Sequence, residues 1–198
     1  MLKKYKKFIS KYISINPITW TLAKSKLKIE HYQKGDVILH MGDVCKKLMF
    51  INSGLARSYM IDENGKDHTW VIYFNDSNAH MTNLFVVDYE SFVTQKESQL
   101  TIDVLEDCEV VSVTYEDLMF LYNKTKKGDR FGRLMSQEAY SYLHNFMIQR
   151  QTHSAKERFE AFMKDTPYLL DKVPQYHIAT LLGMTPQHLS RLKNEYAR

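Results

Sequence analysis

The spacing of apolar residues changes twice along the chain, and each change predicts a change of architecture. Residues 4–30 read as helical: Asn16 precedes Pro17, and Trp20, Ala23 and Leu27 fall on one side. From residue 31 to about 114 the pattern becomes that of short strands with turn chemistry between them. Lys34-Gly35-Asp36 and Met41-Gly42-Asp43 bracket the apolar run 37–39, and the run 48–51 leads into a turn expected at Asn52-Ser53-Gly54. Segments 56–61 and 69–74 flank Asp62-Glu63-Asn64-Gly65-Lys66, where Asn-Gly predicts a hairpin. Segments 100–105 and 110–113 complete the set, with no helix expected among the strands. Repeated short strands of this kind predict an antiparallel barrel or jelly roll.

The period then becomes 3.6. Thr114, with Asp117 three residues on, resembles a capping box opening a short helix through Leu121. After Lys126-Lys127-Gly128, Asp129 is placed to cap a long helix reaching about Gln151. Its apolar stripe carries Phe131, Leu134, Met135, Ala139, Tyr142, Leu143, Phe146 and Met147. A helix of some 20 residues is about 30 Å long, more than one face of a small barrel covers. Part of the stripe, with Phe131, Met135, Ala139, Tyr142 and Phe146 as candidates, is therefore expected to meet a two-fold mate.

Residues 154–198 read as a compact helical module. Val173-Pro174 opens a helix with Ile178, Ala179, Leu181 and Leu182 apolar; Gly183 falls in a turn; Thr185 is a good N-cap and Pro186 fits the first helical position. The second helix turns Leu189 and Leu192 inward and leaves Gln187, His188, Ser190, Arg191, Lys193 and Asn194 outward. Helix, glycine turn, helix is the helix-turn-helix pattern, whose polar face can hydrogen-bond to base edges in the major groove. Arg suits guanine and Gln suits adenine, so Gln187 and Arg191, one turn apart, are the expected base readers. Thr185, His188, Ser190 and Lys193 are the expected phosphate contacts.

Composition narrows the picture. The 198 residues are 44% hydrophobic and 25% charged, long enough to bury a core without disulfides or metals. No apolar run approaches the roughly 20 residues of a membrane span. The lysine-rich start has no continuous hydrophobic segment, so a secretory signal is not expected. Cys45 and Cys108 stand far apart with no CxxC pair, which argues for a reducing cytoplasm and against zinc ribbons and iron–sulfur clusters. The net charge of +4 is uneven: +5 over residues 1–11, −3 over residues 12–150 and +2 over residues 151–198. Basic ends on a mildly acidic body permit a polyanion partner, although a lysine run is also an ordinary solvated helix face. His40, His68 and His80 lack the HxH pair and later Glu of metal-binding cupins, so neither metal nor cofactor is expected. No P-loop, dinucleotide fingerprint or GxSxG elbow is present, and no enzymatic activity is expected.

Jelly roll, long helix and helix-turn-helix in this order resemble the Crp/Fnr family of bacterial transcription regulators. The resemblance rests on Lys34-Gly35-Asp36-Val37-Ile38, on the Phe50-Ile51-Asn52-Ser53-Gly54-Leu55-Ala56-Arg57 stretch, and above all on residues 178–191, Ile-Ala-Thr-Leu-Leu-Gly-Met-Thr-Pro-Gln-His-Leu-Ser-Arg. It implies an α+β protein: a cyclic-nucleotide-binding-like sensory domain over residues 1–128, a dimerisation helix over 129–152 and a DNA-binding domain over 153–198. It further implies double-stranded DNA, a second copy of the chain, RNA polymerase and a small-molecule effector as partners. Three departures follow from the resemblance. Thr82-Asn83 stand where cyclic AMP binders carry Gly-Glu for the ribose, and Ser98-Gln99 where they carry Arg-Ser or Arg-Thr for the phosphate. The N-terminal cysteine cluster of the iron–sulfur oxygen sensors is lacking. The 198 residues end at Arg198, just past the second helix, so the family's wing hairpin is not expected among them. The expected effector, if the barrel takes one at Thr82, Asn83, Ser98 and Gln99, is not cyclic AMP. The competing expectation is a barrel-based ligand-binding or cupin-like metal protein whose helical tail serves only assembly.

Overall fold

The computed structural model describes residues 2–196. Two helices, α1 (Leu2–Ile9) and α2 (Pro17–Ser25), precede the sheet, so the segment read as one helical stretch is two helices with β1 starting at Lys28. In α1 the residues Tyr5, Phe8 and Ile9 are buried while Lys3, Lys4, Lys6 and Lys7 line the open side. The lysine run is thus the outer face of an amphipathic helix. Asn16 caps α2, its side chain accepting from the Thr19 N–H at 2.7 Å, with Pro17 in the first turn as expected.

The sheet is six-stranded and antiparallel throughout: β1 (Lys28–Tyr32), β2 (Val37–Leu39), β3 (Lys47–Ile61), β4 (Asp67–Tyr73), β5 (Phe85–Val86) and β6 (Thr101–Thr114). The order along it is β1-β6-β3-β4, with β2 added to β6 and β5 to β3. Two corrections to the sequence reading concern β3 and β6. Asn52-Ser53-Gly54 does not reverse the chain; it lies inside the 15-residue β3. The segments read as two strands, 100–105 and 110–113, are one 14-residue β6. The register of β3 on β6 shifts between Ile51 and Ser53, Ser53 and Leu55, and Leu55 and Ala56. Gly54 takes φ +94°, and a Cβ there would sit 2.2 Å from the Asp107 carbonyl oxygen. The turn-type residues therefore build a bulge, and both strands bend through it unbroken. The Asp62–Lys66 hairpin forms as expected, closed by Asp62 N–H to Lys66 O at 2.9 Å.

The strand region also holds helices the apolar spacing did not announce: α3 (Met81–Leu84) and α4 (Tyr89–Thr94). They are one or two turns long, too short to display a helical period. After β6 come α5 (Tyr115–Lys124), α6 (Lys126–Thr152), α7 (Ala155–Asp165), α8 (Leu169–Lys172), α9 (Gln175–Leu181) and α10 (Pro186–Tyr196). Thr114 caps α5, accepting from Asp117 N–H at 3.2 Å. The long helix starts one turn earlier than expected, because Thr125, not Asp129, is its N-cap. Ser154 and Glu157 form a reciprocal capping box that opens α7.

Three cores hold the chain together. One fills the sheet interior around Ile51, Tyr73, Ile102 and Val110. A second joins α1 and α6 to the sheet through Phe8, Phe50, Phe85, Phe131 and Met135. The third unites Leu55, Ile72 and Phe74 of the sheet with Phe159, Leu169, Ile178, Ala179 and Leu189 of the helical module. The C-terminal module thus shares a core with the sheet.

Candidate nucleic-acid interface

Helix α9 ends in a Schellman arrangement: Gly183 N–H reaches Thr180 O at 3.0 Å and Met184 N–H reaches Ala179 O at 2.9 Å. Gly183 supplies the required φ of +65°. Thr185 then caps α10, its hydroxyl accepting from His188 N–H at 3.2 Å. Ala179, with no measurable exposure, lets the two helices cross closely, and Leu189 and Leu192 anchor α10 on the same core. What remains outside is a polar stripe. Gln187, Ser190, Arg191 and Asn194 are all exposed, at spacings of three and four residues, so they lie on one face of α10. Arg191 forms no ion pair with Glu195 among the described residues, leaving its guanidinium open to a partner. His188 and Lys193 are half-buried at the edges of the stripe, and the Thr185 hydroxyl is engaged in the cap. Asn194 belongs to this face by its i+7 spacing from Gln187; it is the stripe residue the expected set of readers omitted.

A polar junction fastens α9 to the edge strand β4. Thr69 N–H donates to the Thr180 hydroxyl at 3.1 Å, and the Tyr176 hydroxyl donates to Asp67 O at 3.0 Å. At its centre stands Arg57 of β3, 5% exposed. Its guanidinium meets Asp67 at 2.7 Å and Asp103 at 3.0 Å, and lies 4.2 Å from the centre of the Tyr59 ring. It also donates to His177 Nδ1 of α9 at 2.6 Å. Because an arginine has no acceptor, that bond requires an unprotonated Nδ1. Burial, then the Arg57 charge, holds the His177 imidazole below its ordinary range, against the pull of Asp67 and Asp103. The sequence reading missed this junction: Arg57 ends a stretch singled out for resemblance alone, and nothing local ties it to residues 67, 103 and 177.

The sign of the pH effect follows. A depressed histidine stabilises the docked state above its ordinary pKa of 6.5, and that contribution is lost as pH falls below it. Amide protection factors over residues 175–181, corrected for the intrinsic pH dependence of exchange, should therefore fall between pH 7.5 and pH 5.5, and His177→Gln should flatten that dependence. An unchanged pH profile in the variant would remove His177 from the account.

The four positions expected to hold an effector are not gathered into one pocket. The Asn83 side chain donates to Ile72 O at 2.9 Å and accepts from His80 N–H at 3.2 Å, which staples α3 to β4. Thr82 faces Tyr142 of α6. Ser98 is buried, and its hydroxyl donates to Asp88 at 2.6 Å and bonds the Leu100 backbone. Gln99 is exposed. The five residues expected at the dimer seam point into their own chain: Phe131, Met135 and Ala139 are 5–7% exposed, and Tyr142 and Phe146 pack over His80 and Trp70. The outer face of α6 instead carries Tyr140, Met147 and Ile148, 69%, 55% and 46% exposed, with His144 stacked on Tyr140.

His40, His68 and His80 stand in separate surroundings, and among the described residues no group of His, Cys, Asp and Glu gathers as a metal site. Both thiols are buried, and burial pushes Cys108 up to about 12. Among the described residues no helix is long and apolar enough to cross a membrane.

Comparison with known proteins agrees with this architecture. Residues 29–125 match the cyclic nucleotide-binding domain family. The solved structure of FixK2 from Bradyrhizobium japonicum superposes with a TM-score of 0.71 at 15% identity, over 86% of this chain and 84% of that one. Its fold is that of the Crp/Fnr regulators. A Crp/Fnr-family regulator from Eubacterium rectale gives a TM-score of 0.66 at 17% identity, over 92% of this chain and 84% of that one. By sequence, the chain is 23% identical over 177 residues to Electron transport regulator A of Shewanella oneidensis, covering 84% of this chain and 67% of that protein. The matched residues 29–125 run from β1 to just past the end of α5, and so take in the whole sheet.

Proposed function

We propose that this Crp/Fnr-type protein is a sequence-specific DNA-binding transcription regulator acting as a homodimer. The observation that carries the reading is the stripe Gln187, Ser190, Arg191 and Asn194, exposed on a helix whose other face is locked by the Schellman turn and the Leu189–Leu192 anchor. Rigid presentation of donors and acceptors is what base readout requires. Site selection from a random duplex pool, followed by gel shifts at two salt concentrations, tests it directly. On the selected site Arg191→Ala should lose about 1–3 kcal/mol and relax preference at one base pair, while Lys193→Ala should weaken all sequences about equally. Equal losses by both variants on specific and random DNA would end the division of roles; a wild type binding neither would end the reading.

The mate is expected on the outer face of α6, along Tyr140, His144, Met147 and Ile148, continuing a two-fold axis that sets two α10 helices about 34 Å apart. Ile148→Glu should shift the chain towards monomer in light scattering while its circular dichroism spectrum stays that of the folded wild type. A wild type that is monomeric at high concentration would defeat it.

The effector is not cyclic AMP. Where a cyclic phosphate would need a cation, Ser98 is committed to the buried Asp88 carboxylate, which would repel an anion. The carboxamide that would face the ribose is spent on Ile72 and His80. Calorimetric titration of cyclic AMP and cyclic GMP should give no binding heat at micromolar concentrations; saturable heat with a parallel gain in DNA affinity would overturn this.

A further inference from the structure

A cavity of about 420 Å³ lies where the sheet, α6 and the C-terminal module meet. It is separate from the sheet interior, and its size is that of a small-molecule site. Its walls include Trp70 and Ile72 of β4, Tyr142 and Phe146 of α6, Phe162 of α7 and Leu181 of α9. The aromatic rings are mutually braced. Phe146 meets Trp70 edge-on at 6.0 Å and stacks on Tyr142 at 6.4 Å, with 9° between planes.

The charged rim is selective about what it leaves free. Arg158 is occupied by the backbone carbonyls of His153, Leu182 and Gly183. Glu157 is occupied by the Ser154 cap. Arg150, in the last turn of α6, makes no hydrogen bond or ion pair among the described residues. Asp165 lines the same cavity and disfavours a second negative charge. We propose that this cavity binds a flat, mainly apolar molecule bearing one negative charge, its rings between Trp70, Tyr142 and Phe146 and its anion on Arg150. Apolar faces favour ring stacking, and a guanidinium accepts a carboxylate or sulfonate in its planar fork. Arg150 also lies against the α9–α10 turn, Nη2 being 3.3 Å from where a Cβ on Gly183 would stand. An anion drawing on that guanidinium therefore acts next to the helix that carries the polar stripe. The role of such a ligand as an effector rests on the regulator reading; the binding itself does not, and it is measured without DNA.

The test uses the full chain with Trp20→Phe, which leaves Trp70 as the single indole. The probes are 8-anilinonaphthalene-1-sulfonate and its uncharged analogue N-phenyl-1-naphthylamine, with Trp70 quenching and energy transfer as the readout. Saturable binding of one sulfonate probe per chain is expected. Ala161→Phe, at an exposed position on the cavity wall, should weaken both probes about tenfold or more by filling the space. Arg150→Gln should weaken the sulfonate about tenfold while changing the neutral analogue less than about twofold. Circular dichroism melts of each variant, with Leu143→Phe as a second filling substitution that adds no indole, separate occlusion from misfolding. Binding that does not saturate, that survives both filling substitutions in folded protein, or that loses both probes equally on Arg150→Gln overturns the proposal.

Discussion

Arg57→Met should lower the unfolding free energy by about 3–5 kcal/mol, the range for removing one partner of a buried charged cluster. The guanidinium separates Asp67 and Asp103, which lie on opposite neighbours of β3, and removing it leaves two carboxylates facing an apolar side chain. The same change frees His177 from its donor and unfastens α9 from β4. Urea melts read the first effect, and protease sensitivity between residues 150 and 180 reads the second. Adding Asp67→Asn and Asp103→Asn to Arg57→Met should restore most of the lost stability, because what harms the single variant is the orphaned charge and not the missing arginine. A triple variant no more stable than the single one would mean that the cluster acts mainly through packing.

Gly54→Ala should be the most damaging single-methyl change in the chain. Two costs add: φ of +94° disfavours any side chain, by about 1–2 kcal/mol, and overpacking contributes about 1–3 kcal/mol more. The methyl would fall 2.2 Å from Asp107 O and 2.8 Å from Cys108 Cα, both backbone atoms of the paired strand, so no side chain can rotate out of the way. A melting temperature lower by roughly 10 °C is expected for a chain of this length. Gly65→Ala is the control. Gly65 has φ +75° in the hairpin, but nothing lies within 4 Å of its absent Cβ, so only the backbone term should appear. Equal shifts for the two variants would show that the bulge can relax.

Both variants act at features the sequence announced in the wrong terms. Asn52-Ser53-Gly54 is turn chemistry, and a glycine with positive φ serves a reversal and a bulge equally well. Only the pairing of β3 with β6 across the break decides between them. Arg57 stood inside a recognised stretch, yet its partners come from residues 67, 103 and 177. Local spacing carries no information about such distances. Helices α3 and α4 escaped notice for a different reason, being shorter than the window a period needs.

The helix pair near the C-terminus was legible almost to the residue. Its signals are local: Gly183 for the positive φ, Thr185 for the cap, Pro186 for the first turn, and alternate burial of Leu189 and Leu192. The long helix was equally legible in extent, within one turn at its start. Its outward face was not. An apolar stripe states that a surface will be buried, but the partner that buries it is a matter of tertiary packing. Here α1 and the sheet take Phe131, Met135 and Ala139, leaving Tyr140, Met147 and Ile148 outside. The same division holds for the polar residues. Which side chains α10 can offer was settled by its sequence, because a capped helix with two leucine anchors has one possible outer face. Which groups surround Asn83, Ser98 and Arg57 was decided only by the fold, because a hydrogen bond between residues tens of positions apart leaves no periodic trace in the chain.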